Sequence, residues 1–389
     1  MTKIDHEIDL QTVLRRLGSG MDTQLAELRL AEDPRFPAHS DLTGVYHMTD
    51  SYDPNQWSGF PYIGFLAGRL WLLSAALEEP RYADAAERLC RRIEPVLSRG
   101  PVLHENAGFD VFYALAMGYN TTADEWYKGA ALRALENFAQ LYQPDLGVFL
   151  CNADSDEVVI DTACALVGFM WGSKFEPEYG RLVKTHLDTI IELGLLAPTG
   201  EAFQGVQFDL TDRSVKRHFA RQGYQEQSHW TRAQAWAIHN YLNSYETFRD
   251  ESHLALSVKA AHWFWERLPE GLVPFYDYDD PRVPEIPLDT CSSLLAANAF
   301  LRFEHMPGVI DAAEWGRRGR AILSAIISDH MTLSGTVLHG SWGNARNTRN
   351  LGRFPQEDIM CYGNYWIVES VYRAAVTDWR VPSLLPVSA

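Results

Sequence analysis

The chain has 389 residues, and its 34 lysines and arginines against 51 aspartates and glutamates give a formal net charge of −17 at pH 7. This sign argues against a nucleic-acid partner, because such affinity rests largely on cations that neutralise phosphates. The N-terminus lacks the apolar segment of an export signal, and no window approaches the roughly 18 apolar residues of a membrane span. We therefore expect neither nucleic acid nor membrane as a partner.

The cysteines and the short motifs also narrow the function. The five cysteines are an odd number and include no CxxC pair, which is typical of reduced core thiols in a cytoplasmic protein. HExxH, Walker and GxGxxG-after-strand motifs are absent from the sequence. We expect a cytoplasmic protein with no metal and no cofactor.

Hydrophobic periodicity predicts helix after helix along the chain. Twelve segments have apolar residues at three- and four-residue spacing, namely 8–28, 57–77, 81–98, 106–119, 123–142, 160–173, 176–194, 228–248, 251–268, 288–304, 311–330 and 362–376. Alternating strand patterns are rare, and the best of them lie between helices, near 147–152, 201–210 and 335–341.

Helices of two kinds alternate in this order. Six are almost free of charge and predict burial on all sides, namely 57–77, 106–119, 160–173, 228–248, 288–304 and 362–376. The other six are amphipathic. This alternation favours an all-α (α/α)6 barrel, a six-hairpin toroid with an inner ring inside an outer ring, over a solenoid of helix pairs, since no fixed repeat period is present. No linker divides residues 1–389, so we expect a single domain.

Polar residues stand near the beginning of the buried helices, namely Asn106, Asp161, Ser228 with His229, Asp289 and Asn364. Each one alone is well explained as an N-cap that satisfies free amide groups. Together they admit a second interpretation, because inner helices that run in the same direction bring these residues to one mouth of the barrel. That mouth is the candidate site.

Aromatic residues and one arginine accompany these polar residues. Arg232 and Trp236 are four residues apart and share a helix face, and Trp230 precedes them. Because the chain is acidic overall, Arg232 is the best charged candidate to meet an anionic substrate. The alternative is that Arg232 merely extends over a core tryptophan.

The sequence resembles the unsaturated glucuronyl hydrolases, glycoside hydrolase family 88, from about Trp57 to Arg373. The resemblance rests on "QWSGFPYIGFLAGRLW", "VVIDTACALVGFMW", "RQGYQEQSHWTRAQAW", "PLDTCSSLLAANAF", "TVLHGSW" and "YGNYWIVESVYR". It implies an (α/α)6 barrel and a di- or oligosaccharide substrate with a C4=C5 unsaturated uronic acid at its non-reducing end. It leaves a monomer and a homodimer open.

The resemblance also implies a mechanism and a set of site residues. Asp161 would protonate C4 of the vinyl ether, and water would then add at C5. The resemblance assigns substrate binding to Gln222, Trp230, Arg232 and Trp236, and we add Gln204 as a fifth candidate. A proton donor needs a raised pKa, so burial of Asp161 must outweigh the helix dipole, which favours the ionised carboxylate.

Two positions depart from the family pattern. Asn106 in "HENAGF" stands where the family usually has a second aspartate, and Gln204 is nearest to a family histidine. Asn106 is explained by natural variation, by an engineered substitution, or by transfer of the role to Glu105 or Asp110.

Other functions of the same fold stay open at this point. One is a rhamnogalacturonyl hydrolase that acts by the same hydration. Another is a sugar epimerase, for which His229, His239 and His339 are the available proton-transfer residues. The third is a sugar-binding homologue impaired in catalysis by Asn106.

Overall fold

The computed structural model describes residues 9–40, 46–50, 63–100, 104–212, 214–344 and 357–375. Helices occupy all the predicted segments within these ranges, whereas residues 8, 57–62 and 376 of the predicted helices lie outside them. The helices are α1 (Leu10–Leu28), α2 (Ile63–Leu77), α3 (Pro80–Leu97), α4 (Ala107–Asp110), a π-helix (Val111–Ala116), α5 (Met117–Thr122), α6 (Glu125–Phe138), α7 (Ile160–Ala165), α8 (Val167–Gly172), α9 (Pro177–Glu192), α10 (Thr231–Phe248), α11 (Glu251–Glu266), α12 (Thr290–Phe303), α13 (Ala312–Asp329) and α14 (Cys361–Ala375).

The inner ring is closed. Its members are α2, the run from α4 through the π-helix to α5, the pair α7 and α8, α10, α12 and α14; each contacts the next, and α14 contacts α2. The outer helices α3, α6, α9, α11, α13 and α1 pack on these members in turn. All residues of α12 are buried, whereas α13 buries only one face. The predicted (α/α)6 barrel is thereby confirmed.

One close approach joins two neighbouring inner helices. A Cβ atom added to Gly108 would lie only 2.4 Å from the carbonyl oxygen of Ala165, so glycine is required where α4 passes the end of α7. This approach packs the first turn of α4 against the last residue of α7. Asn106 precedes α4, and Asp161 lies in the first turn of α7.

Short antiparallel strands occupy the loops between the helices. They are β1 (Phe36–Ser40) with β2 (Tyr46–Thr49), β3 (Tyr142–Gln143) with β4 (Val148–Phe149), β5 (Glu157–Val159) with β6 (Gly205–Phe208) and β7 (Val215–Phe219), and β8 (Gly340–Ser341) with β9 (Glu357–Asp358). Pairing of Val159 with Gly205 fixes the chain directly before Asp161. The predicted strands near 147–152 and 201–210 are present in part, and 335–341 is strand only at its end.

None of the five cysteines forms a disulfide bond in the described part of the chain. Among the described residues, no helix combines the length and apolar character needed to cross a membrane.

Candidate active site

Three of the polar residues at the helix beginnings are not caps. Asn106 and Asp289 occupy the N-cap positions of α4 and α12, but neither side chain forms a capping hydrogen bond. Asp161 lies in the first turn of α7, whose N-cap residue is Val159. The capping interpretation is therefore wrong for these three residues.

One cavity at the mouth of the barrel collects most of the predicted site. Eight described residues line it, namely Asn106, Phe109, Asp161, Gln222, Arg232, Trp236, Trp342 and Tyr362. Five of these were predicted from the sequence. Phe109 stacks on Trp236 with ring centroids 5.9 Å apart, so the polar groups face an aromatic wall. Such a combination is typical of a pocket for a small polar ligand.

The pKa of Asp161 lies close to neutral pH. Burial raises the pKa of Asp161 from an ordinary 3.8 to about 6, and Arg232, Arg221 and Gln204 oppose the rise. Its Oδ2 atom is buried and has no hydrogen-bond partner among the described residues. The carboxyl group therefore gains or loses its proton just below neutral pH.

Two glutamines, Gln204 and Gln222, are hydrogen-bonded to each other beside Asp161. Gln204 Nε2 donates to Gln222 Oε1 at 2.7 Å, and the Gln222 amide donates to Gln204 Oε1 at 2.9 Å. Gln222 Nε2 in turn donates to the Trp342 carbonyl at 3.2 Å. Gln204 does not line the cavity but hydrogen-bonds to Asp161, an interaction that lowers the Asp161 pKa.

Arg232 is committed to an ion pair and also borders the cavity. Its Nε and Nη2 atoms donate to the two carboxylate oxygens of Asp289 at 3.1 and 3.0 Å, and Nη2 also donates to the Ser341 carbonyl. Asp289 is fully buried and accepts a further bond from Ser292 at 2.5 Å. Nη1 has no hydrogen-bond partner in the described part of the chain, so it is the donor left for a ligand.

Trp230 supports the site from outside the cavity. The guanidinium carbon of Arg232 lies 5.2 Å from the Trp230 ring centroid and 5.3 Å from that of Tyr362. Trp230 is buried and does not border the cavity. Its position suits it to hold Arg232 in place.

Asn106, Glu105 and Asp110 were the candidates for a second catalytic group beside Asp161, and their surroundings differ. Asn106 Nδ2 is buried and has no partner among the described residues. The neighbouring Glu105 is also buried, and burial together with repulsion from Asp161 holds its pKa well above the ordinary range. Asp110, by contrast, accepts a hydrogen bond from the amide of Gly64 at the start of α2. Glu105 is thus the carboxyl group next to Asp161, and Asp110 has a structural role.

Three other polar residues expected at the mouth lie elsewhere. Ser228 donates to Asp277 at 2.6 Å, and His229 pairs with Asp279 in a separate surface groove. Asn364 binds the amide of Val337 and the carbonyl of Met360. The expectation of one shared mouth is therefore wrong for these three.

The sequence reasoning missed three aromatic residues of the cavity, Phe109, Trp342 and Tyr362. All three stand in motifs that it singled out, "HENAGF", "GSW" and "YGNYW". Their place in these motifs was the sequence feature that could have predicted them as cavity residues.

Comparison with known proteins gives a consistent picture, although no family model matches the chain. An unsaturated glucuronyl hydrolase of Formosa agariphila is 23% identical over 356 residues, which cover 87% of this chain and 84% of the relative. One of Bacillus sp. (strain GL1) is 25% identical over 276 residues, covering 69% and 71%. The chain is similar to unsaturated glucuronyl hydrolases.

Solved unsaturated glucuronyl hydrolases share the fold over nearly their whole length. The crystal structure from Bacillus sp. GL1 superposes with a TM-score of 0.82 at 21% identity, covering 94% of this chain and 96% of that one. The enzyme from Streptococcus agalactiae gives 0.83 at 18% identity, covering 98% and 95%. A mutant of that enzyme was solved with dGlcA-GalNAc6S bound, with a TM-score of 0.76 and 18% identity over 96% and 93%.

Replacing Asp161 by Asn should stabilise the protein at neutral pH. Because the folded-state pKa lies above 3.8, the favourable contribution of the neutral acid is complete below pH 3.8 and disappears as pH rises through about 6. An asparagine side chain does not ionise, so the free energy of unfolding at pH 8 should increase by about 3 kcal/mol and stay nearly unchanged at about pH 3. Denaturant unfolding at the two pH values measures this.

The matched control is Asp209→Asn. Hydrogen bonds from Thr211 lower the pKa of Asp209, so its replacement should give no stabilisation at pH 8. Equal effects of the two substitutions would contradict the assignment of a raised pKa to Asp161.

Replacing Arg232 by Ala should weaken both stability and ligand binding. It leaves the buried Asp289 carboxylate without its partner, which costs about 3–5 kcal/mol of unfolding free energy. In the fraction that stays folded, KM for an anionic substrate should rise because Nη1 is also lost.

A double-mutant cycle with Asp289→Asn separates the two effects. Asp289→Asn in the Arg232→Ala background should recover stability, since no buried charge is left unpaired. It should not recover KM. A KM equal to that of the parent in both variants would make Arg232 structural only.

Proposed function

We propose that the chain is a glycoside hydrolase of the unsaturated glucuronyl hydrolase type, a single catalytic domain acting on lyase-generated oligosaccharides that end in a C4=C5 unsaturated uronic acid. The observation that carries the proposal is the Asp161 carboxyl, with a pKa of about 6, in an aromatic-walled cavity that Arg232 borders. The names of the relatives and the dGlcA-containing ligand of a solved structure support the same substrate class.

The chemistry follows from one group that first donates and then accepts a proton. Neutral Asp161 transfers its proton to C4, and positive charge develops at C5 and the ring oxygen. A water molecule adds to C5 while the Asp161 carboxylate takes a proton from it. The resulting hemiketal opens and releases the next sugar, so Asp161 ends the cycle protonated as it began.

The other residues bind and orient the substrate. Nη1 of Arg232 and the amide groups of Gln222 and Asn106 are placed to receive the uronate carboxylate and hydroxyl groups. Trp236 stacks on Phe109 and offers its edge and remaining face to the sugar ring. Gln204 and Trp230 act through Gln222 and Arg232, which they hold in position.

The positions of the histidines do not favour an epimerase. His229 lies in a separate groove, His239 is buried beside Trp366, and His339 packs on His330. None of the described residues that line the cavity is a histidine. A rhamnogalacturonyl hydrolase differs from the proposed function only in the sugar released. A cytoplasmic location and a monomeric or dimeric state complete the proposal.

The decisive experiment follows the ultraviolet absorbance of the C4=C5 bond in an unsaturated disaccharide. Absorbance should fall with the parent protein, and turnover should decrease about 10²–10⁴-fold in Asp161→Asn, which loses the proton donor. The variant should bind the disaccharide with affinity similar to the parent, since the cavity shape is kept.

A saturated disaccharide of the same sugars serves as the control substrate. Hydration requires the double bond, so this compound should not be cleaved. Cleavage of the saturated compound would indicate a conventional glycosidase, and constant absorbance of the unsaturated one would indicate an epimerase or a binding protein.

Replacing Asn106 by Asp should shift the pH dependence of turnover upward. Asp161 acts when protonated, so activity should decline as pH rises through about 6 in the parent. A second carboxylate in the cavity raises the proton affinity of Asp161 by repulsion, so the decline should move by about one pH unit.

The control is Asn120→Asp, which adds the same charge at the far end of the same run of helix. Asn120 Oδ1 accepts a hydrogen bond from Trp171, and a carboxylate can do the same. Its pH–rate profile should match the parent. If Asn106→Asp also matches the parent, position 106 lies outside the catalytic centre.

A further inference from the structure

A second polar region lies inside the barrel, away from the candidate active site. Five buried side chains of α10, α12 and α14 contribute six polar atoms that have no hydrogen-bond partner among the described residues. These atoms are His239 Nε2, Asn298 Nδ2 and Oδ1, Arg302 Nη1, Trp366 Nε1 and Ser370 Oγ. Unpaired buried groups are rare in folded proteins and usually mark an internal water or ion.

Contacts within the inner ring connect these residues. The rings of His239 and Trp366 lie 4.6 Å apart, although α12 stands between their helices in the ring. Asn298 and Arg302 are one turn apart on α12, and Trp366 and Ser370 are one turn apart on α14. All five side chains have at most 3% of their surface exposed. His239 thus contacts Trp366 directly and Arg302 through Asn243, and Asn298 and Ser370 lie one helical turn from Arg302 and Trp366.

The hydrogen-bond chain around His239 determines which of its nitrogens carries the proton. Arg302 Nη2 donates to Asn243 Oδ1 at 2.7 Å, which leaves the Asn243 amide nitrogen on the other side. That nitrogen lies 3.0 Å from His239 Nδ1 and must donate to it. His239 Nδ1 is thus an acceptor, and Nε2 carries the hydrogen.

Donors therefore predominate among the unpaired atoms. His239 Nε2, Asn298 Nδ2, Arg302 Nη1 and Trp366 Nε1 can only donate, and the Ser370 hydroxyl can donate as well. Only Asn298 Oδ1 is an obligatory acceptor within this set. A water molecule accepts two hydrogen bonds, whereas a halide ion accepts from every direction.

The charges around the region also favour an anion. Burial, together with Arg302 and Arg373, holds the pKa of His239 well below its ordinary range, so two guanidinium groups lie near this imidazole. The nearby carboxylates are already paired. Glu246 binds Arg302 at 3.0 and 2.6 Å, and Glu369 binds Arg373 at 2.7 Å.

We infer that the lumen holds a buried monovalent anion of halide size, bound by Arg302, Asn298, His239, Trp366 and Ser370. Along α14, Tyr365 and Trp366 lie between Tyr362, which lines the candidate active site, and Ser370 of the anion site. Tyr113 packs on Tyr365 and Trp366, and the three rings form an aromatic layer with ring centroids 4.7 to 6.1 Å apart. The anion would stabilise the lower half of the barrel and take no part in the hydration step.

Two measurements on the full chain test the inference. The unfolding midpoint should rise by about 2 °C or more in sodium bromide or chloride relative to sodium gluconate at equal ionic strength, because a bound ligand stabilises the folded state. Crystals grown in bromide should show an anomalous scattering peak within hydrogen-bond distance of Arg302 Nη1 and Asn298 Nδ2.

Asn298→Asp is the diagnostic variant. It places a fixed carboxylate among the donors, so the halide dependence should disappear. Asn120→Asp adds the same charge outside the region and should keep the dependence.

Three results would overturn the anion site: a bromide crystal without the peak, an equal midpoint in all three salts, or the same halide response in both variants. In the first case the lumen contains water only. The crystallographic result does not depend on Asn298→Asp folding, and neither measurement uses turnover. Failure of the anion site is therefore distinct from failure of the proposed hydrolase activity.

Discussion

The closed ring of inner helices is the constraint on which the rest of the molecule depends. Each inner helix contacts the next, and α14 contacts α2, so no member can change direction or register without opening the ring. Asn106, Asp161 and Arg232, which lie at the beginnings of different inner helices, therefore meet at one cavity, although they are far apart in the chain. The approach of α4 to α7 at Gly108 and the Arg232–Asp289 pair between α10 and α12 fix the distances there.

Electrostatic balance at this mouth makes Asp161 suitable for proton transfer. Burial favours the neutral carboxyl group, whereas the two nearby arginines favour the carboxylate. Their opposition leaves a pKa of about 6. The pKa of the neighbouring Glu105 is held well above its ordinary range, because burial and repulsion from Asp161 act on it in the same direction. The surroundings thus act differently on two neighbouring acids.

The sequence was sufficient to predict the barrel because burial leaves a direct trace in helix composition. An inner helix such as α12 excludes charge almost entirely, whereas α13 keeps one charged face. The place of Asp161 in the cavity was predictable for a related reason, since an isolated charge at the beginning of an apolar helix needs a polar environment. The role of the arginine was less accessible, because the Asp289 partner of Arg232 is 57 residues away in the chain. The position of His229 next to the beginning of α10 likewise predicted a place at the mouth, but its hydrogen bond to Asp279 holds it in another groove.

The aromatic layer of Tyr113, Tyr365 and Trp366 has a consequence for the mode of cleavage. The three rings are buried and in mutual contact, so they leave no passage between them for a polysaccharide. Under the proposed function, the terminal sugar of a chain would therefore enter from the mouth, and the remainder would extend outward. Such a blind-ended site would make the enzyme exo-acting by shape alone, and each shortened product would have to leave before the next chain end could enter.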